Sequence, residues 1–129
     1  MKNRLLILLI SFLMAFSSCF AEENAPSVIP TDAKLEYNHG IDCYKLGQYD
    51  EAVALFRTAI RLYPDYIDAY YNLGSLLEYL KQYDEALAIF EQIIVRNPKE
   101  YEALYKAAKL SAQLGDRTNA ARYISMISK

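Results

Sequence analysis

From residue 33 onward, apolar and small residues recur every three or four positions, in short series broken at regular intervals. Through Leu35–Leu46 this spacing predicts a helix with one buried stripe. A break follows at Gly47, where the left-handed conformation that ends a helix costs nothing. Asp50 stands just ahead of the next series and is expected to cap a second helix. That helix carries Ala52, Leu55, Phe56, Ala59 and Ile60 on one face, and Pro64 stops it. Gly40, Ala52 and Ala59 are small enough to let two antiparallel helices approach closely, with Phe56 filling the space between them.

The same pattern then returns with a period of 34 residues. Ala33–Tyr66, Ile67–Glu100 and Tyr101–Lys129 align without a gap. Gly40 falls on Gly74 and Ala108, Ala52 on Ala86 and Ala120, and Phe56 on Phe90 and Ile124. Ala59, Ile93 and Ile127 align, as do Pro64 and Pro98, and Gln48-Tyr49-Asp50-Glu51-Ala52 is repeated identically from Gln82 to Ala86. In the third unit Gly115 makes the turn and Thr118 is the expected cap. One helix pair cannot bury its apolar face alone, so successive pairs must stack.

Leu73-Gly74, Ala86, Phe90, Pro98 and their counterparts resemble the tetratricopeptide repeat, a helix–turn–helix unit of this period. The resemblance covers residues 33–129 and implies an all-α, right-handed superhelical solenoid of three repeats, 33–66, 67–100 and 101–129. The third repeat departs from the pattern, with Ala108 for the glycine and Ser111 where an aromatic is usual. Lys81 departs as well, standing where Gly47 and Gly115 close the other turns.

The resemblance also implies a concave groove lined by the first helix of each pair, here 33–46, 67–80 and 101–114. Its outward stripe would be Lys34, Tyr37, Ile41 and Tyr44, then Asp68, Tyr71, Ser75 and Glu78, then Glu102, Tyr105, Lys109 and Ala112. Tyr37, Tyr71 and Tyr105 hold one place in successive repeats and are expected to stand side by side as a ladder. A tyrosine surface suits a peptide or a helix of a partner protein, although the same tyrosines could serve helix packing alone. Some cytosolic relatives grip an acidic C-terminus with Lys, Asn and Arg. Here Tyr37, Ile41, Glu102 and Lys106 fall on those places and only Asn72 fits. Glu102 and Asp68 are expected to repel an acidic tail.

Ahead of the repeats the chain changes character. Lys2 and Arg4 precede an apolar run, Leu5–Phe16, and then Ser17, Ser18, Cys19 and Ala21. This order reads as a secretory signal peptide over residues 1–21. The run is too short for a spanning helix, which needs roughly 20 residues. Two processing routes are open. Cleavage after Ala21 would follow Cys19-Phe20-Ala21. Phe16-Ser17-Ser18-Cys19 resembles a bacterial lipobox ending the leader at residue 18, with Phe16 where an aliphatic residue is usual, and would place a lipid anchor on Cys19. Residues 22–32, with Pro26 and Pro30, read as a linker. The expected location is the periplasm or cell envelope.

Charge and chemistry narrow the function. Losing residues 1–21 removes Lys2 and Arg4 from 14 basic residues, leaving 12 against 16 acidic ones and a net charge of −4. A nucleic-acid partner would need a basic stripe and is not expected. Cys43 is the sole cysteine besides Cys19 and should be a buried apolar residue. His39 is the only histidine, set inside a packed helix, and no second His or Cys is read as lying at a ligand spacing from it, so no metal or cofactor is expected. No glycine-rich phosphate loop and no nucleophile elbow is present, and Asp50-Glu51 and Asp84-Glu85 are accounted for as helix-start residues. The expected function is therefore a non-enzymatic scaffold or adaptor. Tyr123, Met126 and Ile127 are expected to leave an apolar strip at the C-terminal end, which carries the alternative of a self-assembling homo-oligomer.

Overall fold

The computed structural model describes residues 28–129. The expected signal peptide, Cys19 and the expected linker up to residue 27 lie outside the described residues. Six helices follow one another: α1 (Thr31–Lys45), α2 (Tyr49–Leu62), α3 (Ile67–Tyr79), α4 (Tyr83–Arg96), α5 (Tyr101–Gln113) and α6 (Arg117–Ile127). Among the described residues there is no strand, and no helix is long and apolar enough to cross a membrane. Each helix packs chiefly on its neighbours in the chain. The result is an α-solenoid, with a core running through Phe56, Leu73, Leu77, Phe90, Leu104 and Leu110.

The three intra-repeat turns are alike. Gly47, Lys81 and Gly115 have φ of 75°, 62° and 84°. In each, the next amide reaches back to a carbonyl in the helix just ended: Gln48 to Cys43, Gln82 to Leu77 and Asp116 to Ser111. This bond closes the helix C-terminus and forces the left-handed residue, even where it is a lysine.

The turn also corrects two expected caps. The chain re-enters helix directly after the turn, so the cap falls on Gln48, Gln82 and Asp116. Asp50 therefore sits inside the first turn of α2, where its charge favours the helix dipole. In the third repeat Asp116, not Thr118, is the cap, and it accepts from the Asn119 amide at 3.0 Å. The prolines act as expected. Tyr63 and Asn97, each before a proline, are extended and end α2 and α4.

The C-terminal end differs from the expectation. Tyr123 is buried, because its hydroxyl hydrogen-bonds to Glu91 and its ring lies under Arg122. Met126 and Ile127 are half-buried, whereas Ile124 is 56% exposed despite holding the place of Phe56 and Phe90.

Candidate functional site

Two hollows meet along α1, α3 and α5. The first, about 150 Å³, is lined by Ile41 and Tyr44 of α1, Phe56 below, and Asn72, Ser75 and Leu76 of α3. The second, about 340 Å³, is lined by Ser75, Glu78 and Tyr79 of α3, Tyr83 of α4, and Lys106, Lys109 and Gln113 of α5. Ser75 lines both, so the two hollows adjoin at that residue.

The structure brings together Ile41, Tyr44, Ser75, Glu78 and Lys109 of the anticipated stripe. It does not bring the remainder there. Lys34, Glu102 and Ala112 are exposed and outside both hollows. Asp68 lines a separate depression with Ile29, Tyr63 and Tyr66.

Among the described residues no ring contact joins Tyr37, Tyr71 and Tyr105 to one another. Tyr37 packs at 5.9 Å on Phe56 and at 4.8 Å on Tyr66, and its hydroxyl accepts from Asn72 Nδ2 at 2.7 Å. Tyr71 leans edge-on against Phe90 at 6.1 Å. Each ring is thus engaged by the phenylalanine of its own repeat. The third repeat has Ile124 instead of a phenylalanine, and Tyr105 is left 61% exposed. Burial, with Glu100 and Glu102 nearby, pushes the Tyr71 phenol up to about 12.

A different aromatic set borders the hollows. Tyr44 and Tyr49 are 5.8 Å apart, and Tyr49 meets Tyr79 edge-on at 5.3 Å. Tyr83 follows one repeat after Tyr49. Reading the Gln-Tyr-Asp-Glu-Ala blocks as helix-start chemistry hid these tyrosines. Their exact recurrence was the available signal.

The floor of the second hollow is an ion triplet. Glu78 accepts from Lys106 at 2.9 Å and from Lys109 at 2.7 Å. Burial alone would raise the Glu78 carboxyl, but hydrogen bonds from Lys109 and Lys106 outweigh it and hold the pKa below the ordinary value. Two cations against one anion leave this floor with a positive excess. Asp68 and Glu102, expected to repel an acidic tail, line neither hollow.

One further cluster lies outside both hollows. His39 is exposed, not enclosed, and Cys43 and Glu51 stand beside it. The spacing of His39 and Cys43, one turn apart on α1, was legible in the sequence and was passed over, whereas Glu51 comes from the next helix and only the fold brings it there.

Two tetratricopeptide repeat profiles match this chain, over residues 31–94 and 71–127. No curated protein matches its sequence. Among solved structures it is similar to MamA, at 26% identity and a TM-score of 0.69, covering 75% of this chain and 57% of that one. A tetratricopeptide repeat protein from Parabacteroides merdae ATCC 43184 is 26% identical with a TM-score of 0.71, covering 76% of this chain and 38% of that one. PcrH, solved in complex with the chaperone binding region of PopB, shares the fold at 21% identity and a TM-score of 0.66, covering 80% of this chain and 83% of that one. The chain thus spans less than two thirds of the length of the MamA structure.

Proposed function

Because this chain belongs to the tetratricopeptide repeat family, whose members are in general non-enzymatic scaffolds for protein–protein interaction, we propose that it is an exported adaptor of the bacterial cell envelope. It holds a peptide or helix of a partner protein in the hollows along α1, α3 and α5. The observation that carries this reading is the pair of hollows that adjoin at Ser75, bordered by exposed Tyr44 and Tyr79 and floored by Glu78, Lys106 and Lys109. Exposed aromatics beside a fixed charge are the chemistry of peptide recognition. The PcrH structure, solved with a segment of PopB, offers a precedent for a polypeptide partner on this fold.

The chain carrying a photo-crosslinking side chain at Tyr79 tests the reading in envelope extract. One adduct should form at Tyr79 and be lost on Tyr44→Ala with Lys109→Glu. Equal labelling from a position on α6 would reject the groove.

A second reading, self-assembly through α6, is favoured by the exposure of Ile124 beside half-buried Met126 and Ile127. It predicts oligomers in sedimentation that Ile124→Glu dissociates and Tyr44→Ala does not. Mass spectrometry of the exported chain separates cleavage after Ala21 from lipidation at Cys19.

A further inference from the structure

Three side chains of the first repeat stand apart from the groove. One ligand atom from each of His39, Cys43 and Glu51 lies within 4.8 Å of the others. His39 and Cys43 are one turn apart on α1, and Glu51 enters from the first turn of α2. Cys43 is 3% exposed and in no disulfide, while His39 and Glu51 reach solvent. The thiol is the floor of the cluster and the other two are its rim.

The place of these residues in the array sets them apart from their counterparts. One repeat on, Leu73 and Leu77 hold the positions of His39 and Cys43, and both are buried. Two repeats on, Ala107 and Ser111 are buried as well. There each first helix packs on the preceding pair, α3 on α2 and α5 on α4. Among the described residues no helix precedes α1, so the first repeat presents that face with polar donors. Glu51 differs in the same way. Its counterpart Glu85 is paired with Arg57 at 2.6 Å, whereas no Lys or Arg among the described residues pairs with Glu51.

We propose that His39, Cys43 and Glu51 form a zinc-binding site on this face of the first repeat. Imidazole, thiolate and carboxylate are the donor types zinc takes, at roughly 2.0–2.3 Å. Tetrahedral coordination at those lengths sets donors about 3.5 Å apart, and rotation of the exposed His39 and Glu51 side chains closes the gap. The Cys43 thiol gives its proton to solvent as the sulfur–metal bond forms. Water fills the fourth position. Because the ligands come from two helices, the ion ties α1 to α2 in the first repeat.

The test uses the full chain carrying Cys19→Ser, so that Cys43 is the sole thiol, purified without a histidine tag. It is titrated under reducing conditions with Co²⁺, and Zn²⁺ is then added in competition. The expected result is a single equivalent bound, with a sulfur-to-cobalt charge-transfer band that Zn²⁺ abolishes and that Cys43→Ser never shows. His39→Ala and Glu51→Gln, both at exposed positions, should keep the helical circular dichroism. Each should weaken binding at least tenfold, the lower end of what even an outer-shell partner contributes. A missing charge-transfer band, or an affinity unchanged by His39→Ala and Glu51→Gln, overturns the site.

Discussion

Gly40 and Phe56 meet with no space for a methyl group between them. A Cβ on Gly40 would lie 2.8 Å from Phe56 Cε1, and one on Gly74 would lie 2.9 Å from Phe90 Cζ. The third repeat has solved the same contact in reverse, with Ala108 accepted where Ile124 has replaced the ring and turned outward.

Gly40→Ala should therefore overpack the first repeat and lower the unfolding free energy by about 1–3 kcal/mol. Urea denaturation followed by circular dichroism measures it. A neutral outcome would mean that the ring moves freely.

Lys81 holds a φ of 62° that glycine adopts at no steric cost. Lys81→Gly should stabilise by about 0.5–1 kcal/mol, since relief of a left-handed side chain worth roughly 1–2 kcal/mol exceeds the added freedom of the unfolded chain. Gly47→Ala should destabilise by about 1 kcal/mol through the same strain, because no atom lies within 4 Å of the new methyl.

Tyr71→Ala should cost about 2 kcal/mol, because the ring is packed against Phe90. Tyr105→Ala should fall within about 0.5 kcal/mol of the parent, since that ring is largely in water. Equal losses at both positions would contradict the role assigned to the phenylalanines.

Burial first, and then its hydrogen bond to the Glu91 carboxylate, push the Tyr123 phenol up to about 12. Its folded pKa is raised above the ordinary value of 10.0. The stability it contributes is thus fully present below pH 10 and is lost as pH rises toward 12. Tyr123→Phe should flatten that alkaline loss, read by denaturation at stepped pH alongside phenolate absorbance.

Glu78 has the opposite sign. Its folded pKa is lowered from 4.5, so its contribution is present above that pH and disappears as pH falls through the lowered value. Glu78→Gln should reduce the acid sensitivity of the chain below pH 4.5, measured as the denaturation midpoint against pH.

The sequence by itself determined the period, the six helices and their breaks, because these rest on local physics. Apolar spacing, a left-handed turn and a proline each act within a few residues. Even there, the caps shifted from Asp50 to Gln48 and from Thr118 to Asp116, since a three-dimensional turn sets where the next helix starts. Only the tertiary structure decided which side chains reach a partner. Tyr37 and Tyr105 hold the same repeat position, yet one packs against Phe56 and the other lies in water because Ile124 replaced its ring. The Tyr44–Tyr49–Tyr79 edge, the Glu78 ion triplet and the His39–Cys43–Glu51 cluster each join residues from different helices. Such sites depend on how helices fold back on one another, and no periodicity along the chain encodes that distance.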